Sequence, residues 1–166
     1  MAARALAGVL VVALALLSFS LAMPASGGAD RGPVAFEDTF DLGLTGATVQ
    51  EVRERDLSVP RVQAFYSGYE YVVGYWGLAA FATEHARTGH DRQFGHAVAV
   101  YVTDFAGANV SLTDEGYLRA TRHVRFVPAD DTHVVVGSEA RVPNGGPVAV
   151  PFAERDAAAA FAEPSQ

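Results

Sequence analysis

The chain has 166 residues, half of them hydrophobic, which is enough for one globular domain with a buried core. Its net charge is -7 and its 12 basic residues are all arginine, which argues against nucleic acid as a partner because the chain repels phosphate backbones. The absence of cysteine excludes disulfides, thiolate metal sites and cysteine nucleophiles. An acidic surplus without lysine is typical of halophilic proteins, although biased codon usage gives the same pattern.

The N-terminus carries an apolar segment. Arg4 precedes an uncharged, largely apolar run over residues 5–22, and small residues follow it. This order predicts that residues 1–22 are a signal peptide, or a membrane anchor of the same length, because 18 residues just span a bilayer. A flexible linker is expected over residues 23–35. Either interpretation places the rest of the chain outside the cytoplasmic membrane, since Arg4 stays inside.

A β-β-α-β order is predicted for the first half of the body, residues 36–110. Residues rich in β-branched and aromatic side chains indicate a hairpin, with strands over 61–66 and 70–75 and a turn at Ser67-Gly68. Apolar residues then recur at helical spacing over 76–87. A polar loop over 88–94 and a strand over 96–102 complete this half.

The second half of the body covers residues 111–163. Strands are predicted near 124–127, 132–138 and 147–151, followed by a helix over 154–162. Because both halves place a helix against an antiparallel sheet, the predicted fold class is α+β. The body is expected to form one domain over residues 36–163.

A block in the last third of the chain carries a family resemblance. It contains Val135-Val136-Gly137-Ser138, the turn Asn144-Gly145, Val150-Pro151-Phe152 and a closing alanine-rich helix. This block resembles the signature of the NosL family, the nitrous oxide reductase accessory proteins that act as copper chaperones. Val100–Phe105 and Arg61–Phe65 are similar to the family's central strand and hairpin strand. The resemblance implies two related β-β-α-β halves in an exported protein that passes monovalent copper to a maturing enzyme.

The copper ligands of that family cannot be assigned to residues of this chain. The resemblance implies a Cys-x-Met motif and a Met-Gly turn, but residues 42–52 contain no cysteine or methionine and the turn reads Asn144-Gly145. The only methionines are Met1 and Met23. Because Cu(I) prefers thiolate and thioether donors, the family's usual chemistry is not expected. Copper is therefore implied as a cofactor by the resemblance alone.

Three histidines form the densest group of other possible metal ligands: His85, His90 and His96. Imidazole suits both copper and zinc. Their spacing matches no established metal signature, and His85 lies on the apolar stripe of the predicted helix. A histidine packed in the core is therefore the alternative interpretation.

Aromatic residues are concentrated between positions 65 and 81. Alternate residues of a strand point to opposite faces, so some of these side chains are predicted to face solvent. Aromatic side chains anchor protein interfaces, and the candidates for partner binding are Tyr66, Tyr69, Tyr71, Tyr75 and Trp76. A core with half-buried tyrosines is the alternative.

The sequence predicts an exported or membrane-anchored accessory module that acts by protein contact in a metal-enzyme or transport system. Its partner is expected to be a protein of such an assembly, with the membrane as a second contact if the N-terminal segment is retained. The first alternative is a copper or zinc carrier that uses histidine donors. An enzyme is the remaining alternative, although no pairing of a nucleophile with a base has supporting spacing.

Overall fold

The computed structural model describes residues 32–121 and 124–163. The signal peptide or anchor predicted over residues 1–22, and most of the linker predicted over 23–35, lie outside this range. Within it, every helix is too short or too polar to cross a bilayer.

Short strands and helices alternate along the described chain. The strands are β1 Phe40–Leu42, β2 Val62–Tyr66, β3 Val73–Tyr75, β4 Ala97–Asp104, β5 Val110–Leu112, β6 Leu118–Ala120, β7 Arg125–Pro128, β8 His133–Val135 and β9 Val150–Phe152. The α-helices are α1 Gly46–Glu54, α2 Leu78–His85, α3 His90–Phe94 and α4 Arg155–Ala162. Single turns of 3-10 helix lie at Phe36–Asp38 and Ala129–Asp131.

Five strands form one sheet in the order β1-β3-β2-β4-β7. The central strand β2 is buried along its whole length and pairs antiparallel with β3 and β4. At one edge β1 runs parallel to β3, and at the other edge β7 runs antiparallel to β4. Because β7 follows the β5–β6 hairpin in the chain, residues from both predicted halves contribute to this sheet.

Both faces of β2 are covered, which explains why its sequence is almost continuously apolar. Val62, Ala64 and Tyr66 belong to a core cluster against which α2 packs. Gln63 is fully buried and holds the N-terminal segment by two hydrogen bonds: its Nε2 donates to the Val34 carbonyl at 2.7 Å and its Oε1 accepts from the Val34 amide at 3.0 Å. The Gln63 side chain thus bonds both the amide and the carbonyl of Val34, as a neighbouring strand would.

A second core lies between the β8–β9 hairpin, helix α4 and the end of β4. Its fully or almost fully buried members include Phe105, Leu118, Val150 and Phe152. In a third, smaller cluster, Val52 of α1 packs with Leu57, Val59 and Val142. Both clusters therefore join residues that lie far apart in the chain.

The predicted α+β class, with antiparallel sheets and packed helices, is confirmed. In the first half β2, β3, α2 and β4 follow the predicted β-β-α-β order, and in the second half β7, β8, β9 and α4 follow the predicted order. No strand follows α4 up to residue 163, so the second half does not end on a strand within the described chain. Helix α1, which Thr45 caps by accepting from the Thr48 amide, was not predicted.

Two local predictions were wrong. The loop expected over 88–94 contains helix α3, whose five residues lie between Gly89 and Gly95, both with positive φ, and are too few to show a helical period. The turn predicted at Ser67-Gly68 is present, and the Tyr69 amide donates to the Tyr66 carbonyl across it, but the second strand of the hairpin, predicted from residue 70, starts only at Val73. The amides of Ser67 and Gly68 donate to the carbonyls of His96 and Phe94.

Candidate functional site

His90 starts helix α3 and points into the first core. It is 1% exposed, and its ring centroid lies 5.0 Å from those of Tyr66 and Phe94. Neither of its ring nitrogens has a hydrogen-bond partner within the described chain. Glu84 Oε1 is 3.6 Å from Nδ1, too far for a hydrogen bond. The imidazole is therefore a buried polar group whose hydrogen-bonding capacity is unused.

His85 ends helix α2 and lies beside His90. The ring centroids of the two histidines are 5.1 Å apart, and His85 stacks on Phe81. Burial lowers the pKa of the His85 imidazole, and the charge of His90 lowers it further. The pairing of α2 with α3 thus brings together two of the three histidines singled out in the sequence.

His96 does not share this arrangement. It is exposed just before β4, where its amide donates to Ser67 Oγ at 3.0 Å. Glu84, the carboxylate beside His90, is paired with Arg87, and this hydrogen bond is the main cause that lowers the pKa of Glu84. Over the described ranges, no three His, Asp or Glu side chains come close enough together to hold a metal ion.

Two of the five aromatic candidates are core residues. Tyr66 is 2% exposed and Tyr75 is fully buried, and their hydroxyl oxygens lie 2.8 Å apart in a hydrogen bond. Burial raises the pKa of both phenols, so both stay neutral in the folded protein. These two side chains fit the alternative interpretation, a core built from tyrosines.

The remaining aromatic candidates reach the surface at opposite ends of β3. Tyr71, before the strand, is 64% exposed and packs edge-on against the half-buried Tyr69 at 5.7 Å. Trp76, after the strand, is half-buried and donates from Nε1 to Asp41 Oδ2 at 2.8 Å. The aromatic candidates therefore form three groups. Tyr66 and Tyr75 are a buried pair, Tyr69 and Tyr71 are a pair at the surface, and Trp76 lies beside a cleft.

That cleft encloses about 420 Å³ between the N-terminal segment, α1 and the start of β2. Three aromatic rings surround the Arg61 guanidinium on its floor. Its Cζ lies 4.9 Å from the ring centroid of Phe36, 5.8 Å from that of Phe126 and 5.9 Å from that of Trp76. We call this space the Arg61 cleft.

The Arg61 side chain has no ion pair and no hydrogen bond to any described residue. Its backbone is held instead by Thr103, whose hydroxyl accepts from the Arg61 amide at 2.9 Å. Burial lowers the pKa of the guanidinium, and the charge of Glu37 partly opposes this. Arginine nevertheless stays charged because its ordinary pKa is far above neutral pH.

Close packing keeps the N-terminal segment over this cleft. Gly74 on β3 faces the segment, and a Cβ at this position would collide with Thr39 Oγ1 and approach Phe36 Cε2 to 2.9 Å. Together with the Gln63 hydrogen bonds to Val34, this contact places the Phe36 ring beside Arg61.

The Arg61 cleft was not predicted from the sequence. One signal was present: Arg61 is the only charged residue between positions 57 and 66, a stretch that is mostly apolar. A lone charge at the start of a buried strand needs compensation. Its aromatic neighbours Phe36 and Phe126 come from distant parts of the chain, so their approach could not be predicted.

The chain was also compared with known proteins. A family model described as NosL matches residues 55–166. The matched range contains both Val100–Phe105 and the block from Val135 to Phe152, and it begins after residues 42–52, where the resemblance places the Cys-x-Met motif. No curated protein and no solved structure matches this chain.

Proposed function

Because this chain belongs to the NosL family, a family of copper-related accessory proteins, we propose that it is an exported accessory module that works by contact with a partner protein and does not carry Cu(I) on the family's ligands. The observation that carries the proposal is the retention of the family's structural residues in a body without a sulfur donor. Its partner is a component of a metal-enzyme or transport assembly outside the cytoplasm.

Several residues of the family signature have a packing role here. Val150 is fully buried and Phe152 is 2% exposed, both in the second core, and Val135 packs against the same cluster. Ala158, in the alanine-rich helix α4, contributes to this core as well. A chain can therefore keep the signature because folding needs it, independently of metal transfer.

Soft-metal coordination has no donors in the body of this chain. Cysteine is absent, and the only thioethers, Met1 and Met23, lie outside the described residues. A Cu(I) site built from the family's donor types needs at least two of them close together. A single Met23 thioether near the N-terminus does not meet this requirement.

The surface pair of the exposed Tyr71 and the half-buried Tyr69 supports action by protein contact. Tyr71 is the most exposed large aromatic side chain of the run, and Tyr69 supports it by packing against Phe94 at 5.1 Å. Rigid aromatic side chains contribute large contact areas at protein interfaces for little loss of side-chain entropy. The candidate anchors of the interface are thus Tyr71 and Tyr69.

Competition with a chelator tests whether this chain binds Cu(I). We expect the full-length chain, purified in detergent, to take no stoichiometric Cu(I) from the chromophoric chelator bicinchoninate. The variant Met23→Leu should behave in the same way, because one thioether adds little affinity. Tight uptake of one Cu(I) per chain would contradict the proposal.

Photocrosslinking tests the protein contact. A photoreactive amino acid at position 71 should yield a discrete adduct with one protein of the producing cell. The matched control is position 112, since Leu112 is also an exposed apolar residue and lies in the distant strand β5. If both positions give the same adducts, the contact surface at Tyr71 is rejected.

Export has its own test. A fusion of residues 1–35 to a reporter that is active only outside the cytoplasm should be active. The substitution of two residues of the apolar run, Leu10→Arg and Leu14→Arg, should abolish that activity because it interrupts the segment. An inactive wild-type fusion would refute export.

A histidine-based metal carrier is the second candidate, favoured by the contact between His85 and His90. A metal at this pair would need a third donor from a rearranged neighbour such as Glu84. Equilibrium dialysis against Cu(II) and Zn(II) distinguishes the two functions: a carrier loses uptake in His85→Gln and His90→Gln but keeps it in the exposed control His133→Gln. Equal uptake by all variants rejects the carrier.

A further inference from the structure

We propose that the Arg61 cleft is a binding site for a small organic molecule with one carboxylate and an apolar body, and that Arg61 pairs with the carboxylate. This site is separate from the tyrosine pair at the other end of β3. It would give the protein a small-molecule ligand in addition to a protein partner.

The Arg61 guanidinium has unused hydrogen-bonding capacity. A guanidinium presents five N–H donors in one plane and stays charged at any physiological pH. Its half-buried side chain contacts three rings, yet no acceptor from the described chain reaches it. A partly desolvated charge without an acceptor is costly, and a carboxylate offers two oxygens that match two of these N–H groups.

Neighbouring residues restrict the position of the Arg61 guanidinium. Phe36 and Phe126 stack nearly parallel at 6.3 Å, and both lie within cation–π distance of Arg61. Thr103 fixes the backbone of Arg61 from both sides, since its hydroxyl accepts from the Arg61 amide and also lies 3.2 Å from the Arg61 carbonyl, to which it can donate. Such a preorganised group loses little entropy when a ligand binds.

The cleft offers space beside the charge. Its volume of about 420 Å³ lies in the range of pockets that hold small molecules, roughly 300–1,000 Å³. Its lining is mixed, with the Trp76 ring and the edges of Val52, Leu57 and Val59 among polar side chains such as Thr39 and Ser58. An apolar body next to the carboxylate can lie against this apolar part of the lining.

The charge around the cleft disfavours ligands with more than one negative charge. Three carboxylates, Glu37, Asp41 and Asp56, line the cleft together with Arg53. Asp41 is engaged by the Trp76 indole, whereas no hydrogen bond to a described residue occupies the Glu37 side chain. These acids repel an anion in proportion to its charge, so they oppose a monocarboxylate on Arg61 less than they oppose phosphate or sulfate.

Trp76 makes binding directly measurable because it is the only tryptophan of the chain and lines the cleft. We expect 3-phenylpropionate to change the Trp76 fluorescence of the full-length chain saturably. The neutral amide of the same shape, 3-phenylpropanamide, should bind at least tenfold more weakly, and inorganic phosphate should not bind. Equal binding of acid and amide would overturn the proposal without any variant.

Substitutions then test whether Arg61 is the residue that pairs with the carboxylate. Arg61→Gln should weaken 3-phenylpropionate at least tenfold and bring its affinity close to that of the amide. Arg53→Gln removes the same charge from an exposed residue of the same cleft and should leave the affinity within about twofold. Equal weakening by both substitutions would show a general charge effect and overturn the assignment. Arg61→Met, which keeps an apolar side chain against the rings, replaces Arg61→Gln if the latter does not fold.

Discussion

Tyr66 and Tyr75 show how a pair of polar atoms is accommodated in an apolar core. Each buried hydroxyl satisfies the other across 2.8 Å, so the two side chains depend on each other. Removing one hydroxyl leaves the other buried without a partner, whereas removing both leaves no unpaired group in the core. The pair can therefore be tested by comparing single and double substitutions.

We expect Tyr66→Phe and Tyr75→Phe each to lower the free energy of unfolding by about 1–2 kcal/mol, because each leaves one buried hydroxyl without a partner. The double variant should lose less than the sum of the two single effects. Urea denaturation followed by circular dichroism measures all three. Strictly additive losses would show that the two hydroxyls are not coupled.

The lowered pKa of His85 predicts how the free energy of unfolding responds to pH. Its folded-state pKa is lowered by burial and by the charge of His90, while Asp91 opposes the shift. The unfolded chain therefore binds a proton more readily than the folded chain does. The contribution of His85 to the free energy of unfolding is fully present above the pKa of histidine in the unfolded chain, about 6.5. It declines as the pH falls below that value.

The measurement is the thermal midpoint between pH 7.5 and pH 5.5. Its decline should be smaller in His85→Gln than in the wild type. His96→Gln is the control, since it removes an exposed histidine from the same part of the chain. A pH profile that His85→Gln leaves unchanged would show that another group controls this range.

At the scale of elements, Asp104 joins the end of β4 to β9. Its side chain is fully buried, and its Oδ1 accepts from the amides of Ala106 and Ala153, both at 2.8 Å. Its Oδ2 accepts from the Arg125 guanidinium at 3.1 Å. One carboxylate thus closes a turn, pairs with β7 and connects the first sheet to the second core.

Asp104→Ala should lower the free energy of unfolding by about 3 kcal/mol or more, because it leaves two amides without their charged acceptor. Arg125→Gln is the matched control. Its side chain is 69% exposed, so the loss of this ion pair should cost less than about 1 kcal/mol. Similar losses in urea denaturation for both variants would mean that the amide bonds contribute little.

At the scale of the whole molecule, the shared sheet should make the body unfold as one unit. Strand β7 pairs with β4, and the end of β4 contacts the second core through Phe105. Trp76 lies in the first half, so its fluorescence reports unfolding far along the chain from the second core. A perturbation of the second core should therefore be visible at Trp76.

Phe152→Ala should lower the free energy of unfolding by about 3–5 kcal/mol, because it leaves a cavity in the second core. The midpoint of Trp76 fluorescence and that of circular dichroism should shift together. An unchanged Trp76 midpoint, with a lowered circular dichroism midpoint, would instead show that the two cores unfold independently.

Local patterns in the sequence determined the elements that are long enough to show a period. The β2 strand, helix α2 and helix α4 could be predicted because their apolar residues recur at strand or helix spacing. Composition alone excluded thiolate chemistry, since no fold can supply a sulfur donor that the body lacks. Three residues of the family block, Val135, Val150 and Phe152, lie in or against the second core.

Only the tertiary structure decided which side chains meet. It packed His85 against His90 but left His96 exposed, and it buried Tyr66 while exposing Tyr71. It also placed Phe36 and Phe126 around Arg61. These contacts join residues far apart in the chain, and their free energy depends on how the sheet and its covering segments pack. A local period carries no information about such partners.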